Sequence, residues 1–243
     1  MRFKLEITLE KPELPIEYRK AILSLIKKSL THANGGKYFK QFFCGTKSKD
    51  YTFTVKLPKA DFYKSTIKLD KRIFSVTFST YDRTMGYILF AALSEQQKVK
   101  IPLSNNNFYN ITSIRLLKEQ EVNSNQVLFK MCAPLVIRKH NRNNNKDYYY
   151  VFHDEEFVSE SLAVITNQLL NAGYNQEQIK DLKITPINMK KVVVKHYGCS
   201  IPCSLGYVMV EGNKSVLNFL YKSGIGSRRS EGFAFVDMAI EEV

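Results

Sequence analysis

Histidine, cysteine and arginine are the side chains of this sequence whose spacing could do chemistry. His196, Cys199 and Cys203 stand as His-x2-Cys-x3-Cys, the nearest approach to a metal-binding pattern. A fourth ligand at a familiar spacing is missing, and Gly198 and Pro202 mark a turn between strands, so neither a metal nor another cofactor is expected. A different chemistry is suggested by Ser223-Gly-Ile-Gly-Ser-Arg-Arg-Ser-Glu-Gly-Phe-Ala-Phe235. Gly224, Gly226 and Gly232 permit positive φ and can turn backbone N–H groups onto an anion. Arg228 and Arg229 can fork onto phosphate oxygens. The run follows a helix and precedes a strand, the reverse of the dinucleotide-binding fingerprint, so a Rossmann reading fails.

Other basic residues cluster as well. Arg138, Lys139, His140, Arg142 and Lys146 fall in Arg-Lys-His-Asn-Arg-Asn-Asn-Asn-Lys, which contains no acid. Lying between two strand-like runs, it reads as a hairpin tip whose basic and Asn side chains suit phosphates and exposed base edges. A charged loop kept for solubility is the alternative. Between Lys37 and Arg72, ten Lys and Arg stand against three acids, Asp50, Asp61 and Asp70. The whole chain of 243 residues has 36 Lys and Arg against 23 Asp and Glu, a formal net charge of +13. That excess implies a polyanionic partner such as nucleic acid, or a solvated basic surface. An anionic membrane surface is disfavoured, because no helical stretch joins a basic face to an exposed aromatic one.

The remaining composition narrows the class. Hydrophobic residues at 44% and charged residues at 24% exclude wholesale disorder. The longest apolar run, Tyr87 to Leu93, falls far short of the roughly 20 residues of a membrane span. The N-terminus has no secretory pattern, so a soluble cytoplasmic protein is expected. Four cysteines, Cys44, Cys132, Cys199 and Cys203, are too sparse for a disulfide scaffold.

The elements that must position these groups follow from periodicity. Phe3, Leu5, Ile7 and Leu9 alternate with Lys4, Glu6, Thr8 and Glu10, a half-buried strand. After Pro15, the residues Tyr18, Ile22, Leu25, Ile26 and Ser29 recur at helical spacing up to Gly35-Gly36. A short apolar and basic stretch at 38–43 is followed by strands at 51–57 and 72–79. A helix at 82–97 and an extended segment reaching Val122 complete a β-α-β-β-α-β order. The second half repeats it: strand-like runs at 127–131 and 148–152, then an acidic helix start at Asp154 running to Gly173. Strands at 192–197 and 205–210, a helix at 213–222 and a strand at 233–240 follow. The fold class expected is α+β, two tandem ferredoxin-like domains, 1–122 and 123–243, the second carrying the glycine-rich loop.

At this point the chain resembles a known family. Gly224-x-Gly226, five residues, then Gly232-Phe233 is similar to the signature of the CRISPR repeat-processing endoribonucleases, the CRISPR-associated protein six family. The opening Met-Arg-Phe-Lys-Leu strand, the Pro15 helix, the Tyr-Thr-Phe-Thr strand from Tyr51 and Ala133-Pro134-Leu135-Val136 are also similar, so the resemblance spans nearly the whole chain. It implies two RNA-recognition-motif-like domains, binding of CRISPR repeat RNA and metal-independent cleavage within the repeat to give guide RNAs. A non-catalytic repeat-RNA-binding subunit of a CRISPR effector complex is the alternative; monomer and homodimer both stay open. Ala234 stands where the family usually has another glycine; with a strand expected to begin there, alanine should be tolerated.

Cleavage of this kind uses the ribose 2′-hydroxyl as nucleophile and needs an acid, a base and positive charge. Histidine suits the proton transfers, and the chain has four: His32, His140, His153 and His196. His153 reads as a helix-start residue, His196 as a core or turn residue, and His140 as an RNA contact in the hairpin. His32 is placed just past the first helix, on a loop flanked by lysines. The resemblance implies His32 as general acid or base, Tyr38 orienting ribose or phosphate, and Lys27 or Lys40 stabilising the developing charge. A solvent-exposed helix-end histidine favourable to the dipole is the competing reading.

Overall fold

The computed structural model describes residues 1–43 and 49–241; Cys44 and Lys47, both counted above, lie outside the described residues. Strict alternation makes the first strand, β1 (Arg2–Leu9), a two-faced element: Phe3, Leu5, Ile7 and Leu9 are buried, and Lys4, Glu6 and Thr8 are not. A strand with one buried face needs a helical layer over it. That layer comes from α1 (Tyr18–His32) and α3 (Arg83–Ser94), whose Ile22, Leu25, Ile26, Leu89 and Leu93 share a core with β1. Burying each such side chain contributes about 1.5–3 kcal/mol. Asp82 caps α3 by accepting from the N–H groups of Thr84 and Met85.

β1 lies at the centre of the first sheet, in the order β3 (Tyr51–Lys56), β6 (Ile73–Thr80), β1, β8 (Asn107–Leu117), β7 (Ile101–Leu103). A small sheet of β2 (Glu13–Pro15), β5 (Thr66–Leu69) and β4 (Ala60–Phe62) flanks it. The 38–43 stretch forms a short helix, α2 (Lys37–Phe43). The second sheet runs β12 (Lys183–His196), β13 (Cys199–Glu211), β9 (Gln126–Met131), β14 (Val236–Glu241), with α4 (Phe157–Asn171), α5 (Gln176–Ile179) and α6 (Lys214–Ser223) between strands. Read along the chain, both halves give the second-third-first-fourth strand order of a ferredoxin-like unit. A hairpin, β10 (Ile137–Asn141) and β11 (Lys146–Tyr150), is inserted between β9 and α4. No helix among the described residues is long and apolar enough to cross a membrane.

Arg2 ties the two halves together. Its guanidinium donates to Ser79 Oγ at 3.1 Å, to Asp237 at 3.0 Å, and to the carbonyls of Tyr221 and Val236 at 2.9 and 2.7 Å. It also stacks 3.7 Å above the Tyr221 ring. A planar five-donor group fits this set; a lysine would not.

One expectation about the last strand is corrected. β14 begins at Val236, not at residue 233, and Ala234 sits in the left-handed region at φ 60°. Its N–H donates to Pro134 and its carbonyl accepts from Ile225, so the conformation is imposed by both neighbours. An L-residue there costs about 1–2 kcal/mol, which explains the glycine expected at this position. Ala234→Gly should therefore raise stability by about 0.5–1 kcal/mol, the relief being partly offset by the freer unfolded chain. A higher denaturant midpoint with an unchanged slope is the expected reading.

Candidate nucleic-acid interface and active site

The hairpin supplies a charged face by simple strand geometry. Its register pairs Arg138 with Tyr149, Lys139 with Tyr148 and His140 with Asp147. Alternation then sets Arg138, His140, Asp147 and Tyr149 on one face, and Lys139 and Tyr148 on the other. On the first face the Asp147 carboxylate accepts from His140 Nδ1 at 2.8 Å, Arg138 at 3.2 Å and the Tyr149 hydroxyl at 3.1 Å. Burial alone would raise its pKa, but these donors together hold the carboxyl below the usual range. On the opposite face Lys139 pairs with Glu160 of α4. The tip proper is only 142–145, where Arg142 is exposed; Arg138, Lys139 and His140 belong to β10 rather than to the turn.

The glycine-rich loop works differently from the sequence expectation. The N–H groups of Gly224, Gly226 and Gly232 donate to Leu220 O, Gln168 Oε1 and Arg229 O, so none is turned onto an anion. Their positive φ values are 81°, 99° and 85°. What these glycines provide is close approach. A Cβ on Gly232 would stand 2.5 Å from the Phe53 ring, one on Gly224 would stand 2.7 Å from Ala234 O, and one on Gly226 2.9 Å from Val136 O. Gly232 and Gly224, which also borders Thr52, thus let the loop lie against β3 of the other half.

The two arginines of the loop also part company. Arg229 is buried at 6% exposure, donating to Ser223 O at 3.0 Å and Asp50 at 3.3 Å across the halves. Its guanidinium is a structural clamp rather than the expected phosphate fork. Arg228 faces the hairpin, 3.0 Å from the Tyr149 hydroxyl and 3.5 Å from Asp147, and pairs with Glu231 at 2.9 Å. Glu231 also meets His196 Nε2 at 2.9 Å. Burial pushes the Glu231 pKa up, and the His196 and Arg228 contacts outweigh it and hold it down. Buried against Phe233 and Tyr197, His196 is a core residue. Cys203 is buried, its thiol pushed up to about 12 by burial, while Cys199 is exposed, so the His-Cys-Cys trio does not converge.

Between hairpin, loop and α4 lies a cleft of about 520 Å³, lined by Arg138, His140, Arg228, Lys49, Asn167 and Asn171 among others. Lys49 links it to the first half. Its ammonium stands 5.3 Å from the Phe43 ring, and Lys27 of α1 stands 5.4 Å from the same ring. A basic rim therefore runs from the cleft to the α1–α2 corner.

His32 stands at that corner as the last residue of α1, not on a loop beyond it. Its ring is exposed, and Nδ1 lies 2.7 Å from the Lys28 carbonyl. A carbonyl only accepts, so Nδ1 carries the hydrogen, and in the neutral ring Nε2 is an acceptor with no partner among the described residues. Lys28, one turn back, shares the His32 face. Lys27 is rotated from it by roughly 140° and covers Phe43 instead. Lys40 is exposed on α2, whereas Tyr38 is half-buried against the core. Lys28, Lys49, Asp147, Tyr149 and Glu231 are the residues of this candidate site to which sequence reasoning gave no role. The alternation of Asp147 with Tyr149 opposite the basic strand was the available signal for two of them.

Residues 117–238 match the model of a protein family described as CRISPR associated protein Cas6, C-terminal. The chain belongs to the Cas6 family. Solved structures of similar fold include one from the characterisation of a Cas6-related gene of Pyrococcus furiosus, with TM-score 0.85 and 20% identity, covering 100% of this chain and 99% of that one. A RAMP protein binding different RNA substrates gives TM-score 0.83 at 18% identity, covering 99% and 100%. A Thermus thermophilus Cas6 product complex gives 0.71 at 16%, covering 98% of each chain. No curated protein sequence matches. The Cas6 fold, two tandem ferredoxin-like units, extends along the whole chain.

Proposed function

We propose that this protein binds CRISPR repeat RNA along the basic rim and cuts the precursor transcript within the repeat, using the ribose 2′-hydroxyl and no metal ion. The observation that carries this reading is the Nε2 of His32, without a partner among the described residues, at an exposed, lysine-rich helix end. Membership of the Cas6 family, an RNA-binding relative and a product complex among the similar structures support it. In the reaction Nε2 takes the 2′-proton, O2′ attacks the adjacent phosphorus, and the bond to O5′ breaks. The departing O5′ takes a proton from water while the imidazolium returns its own to solvent. A 2′,3′-cyclic phosphate and a 5′-hydroxyl result. Lys28 and Lys40 supply positive charge for the phosphorane.

The test is incubation with the repeat RNA in EDTA, beside the same RNA carrying one 2′-deoxy sugar at the scissile position. The ribose substrate should be cut to a cyclic phosphate end and the deoxy substrate spared. Retention of both RNAs uncut would instead mark a binding subunit. The loop arginines give a second expectation. Arg228→Ala should weaken RNA binding and reduce the steepness of its salt dependence by about 0.7 for a single strand. Arg229→Ala should leave that slope alone and lower unfolding stability by about 1.5–3 kcal/mol through lost charged hydrogen bonds. Salt titrations and denaturant melts of both variants separate the two roles.

A further inference from the structure

His196 is buried among aromatic rings, yet packing alone does not account for it. It closes β12 at 1% exposure, edge-on to Tyr197 and Phe233 at ring distances of 4.6 and 5.5 Å. An apolar side chain would fill that slot without burying polar atoms. The imidazole instead leaves Nδ1 buried with no partner among the described residues. Its other nitrogen is engaged. Nε2 lies 2.9 Å from Glu231 Oε2, and Arg228 Nη1 lies 2.9 Å from the same oxygen. A carboxylate accepts, so Nε2 carries the hydrogen and two donors converge on one oxygen. Arg228 is the far end of this chain of contacts. Its Nη2 donates to the Tyr149 hydroxyl at 3.0 Å, and its side chain lines the cleft with Arg138 and Lys49. Nη1 keeps a second N–H beyond the one given to Glu231.

We infer that His196 is a positioning residue for RNA binding: it holds the Glu231 carboxylate, which holds the Arg228 guanidinium at the cleft for a phosphate. The inference rests on the reading that Arg228 contacts RNA. A free arginine gives up rotamer freedom when it meets a phosphate, and one already held gives up less. The carboxylate in turn needs an anchor, because Glu231 ends a three-residue turn of helix and its side chain is 29% exposed. Without His196 the carboxylate is free to turn toward water, and Arg228 loses its fixed acceptor. Charge alone argues the opposite way. An anionic side chain beside Arg228 repels RNA phosphates, so a Glu231 that acted only as a charge would weaken binding by its presence. Positioning and charge therefore call for changes of opposite sign when Glu231 is removed.

The experiment measures retention of repeat RNA carrying a 2′-deoxy sugar at the scissile position, in EDTA, with denaturant melts of the same samples. Arg228→Ala should bind roughly 10-fold more weakly, the order of one charged hydrogen bond. His196→Leu, which keeps the slot filled, should lose about threefold to tenfold. In the Arg228→Ala chain the same replacement should change affinity by less than about twofold, because nothing remains to be held. His196→Gln, whose amide can donate to Glu231, should recover most of the affinity, a recovery that a packing role would not give. Glu231→Ala should also weaken binding, and at its part-exposed position it carries the test if the leucine variant does not fold. Wild-type affinity in folded His196→Leu, equal losses in both backgrounds, a glutamine no better than leucine, or tighter binding by Glu231→Ala overturns the positioning role. The RNA reading stands through all of these so long as Arg228→Ala weakens retention. Wild-type retention by Arg228→Ala, or no retention by the wild-type protein, overturns both.

Discussion

His32→Ala is expected to slow single-turnover cleavage at the repeat site by roughly 10²- to 10⁴-fold, with RNA affinity changed by less than about threefold. The two numbers separate for a physical reason. The imidazole is exposed, its Nδ1 is tied to the Lys28 carbonyl, and it holds no partner side chain in place among the described residues. Removing it therefore takes away a proton acceptor and little else. On the proposed reading, binding draws instead on the side chains of Lys27, Lys28, Lys40 and Lys49 and on the cleft cations. A wild-type cleavage rate in this variant would refute the assignment directly. Loss of affinity in parallel with rate would show that the ring contacts RNA without transferring a proton.

Gly232→Ala is expected to be the most destabilising small change in the loop, costing about 2–5 kcal/mol. A Cβ at this position would meet two Phe53 ring atoms at 2.5 and 2.6 Å, and the residue stands at φ 85°. Overpacking contributes about 1–3 kcal/mol and the left-handed backbone about 1–2 kcal/mol. Phe53 is fully buried in β3, so the ring cannot swing away. Phe53→Leu alone should destabilise, yet placed in the Gly232→Ala chain it should restore part of the loss, since the ring is the obstacle. Denaturant midpoints of the two single variants and the double variant decide it; simple additivity would locate the strain elsewhere.

Much of the architecture was legible because its elements obey one period each. The β1 alternation and the α1 stripe read directly, and the β-α-β-β-α-β order followed from them. The first half of β12 did not, because Pro186 and the register shift between Ile187 and Lys190 interrupt its pattern. The left-handed Ala234 was hidden for a different reason: only the contacts with Pro134 and Ile225 impose it. The site was less legible than the fold. Arg228 and Arg229 are adjacent in sequence, and what separates a cleft cation from a buried clamp is Tyr149 for one and Asp50 for the other, both distant along the chain. His32 reads from the sequence as a loop residue but ends α1, and its helix-mate Lys28 was passed over for Lys27, a choice that 3.6-residue geometry settles once the helix is seen to include residue 32.

The glycines that first suggested an anion cradle have a consequence for how such a sequence is read. Gly224 is demanded by Ala234 and by Thr52 of the facing sheet, Gly232 by Phe53 of that sheet, and Gly226 by Val136. Their pattern records how two lobes are pressed together. A chain that lost His32 would still need those glycines for packing and would keep the pattern intact. The signature therefore certifies shape and is silent on turnover.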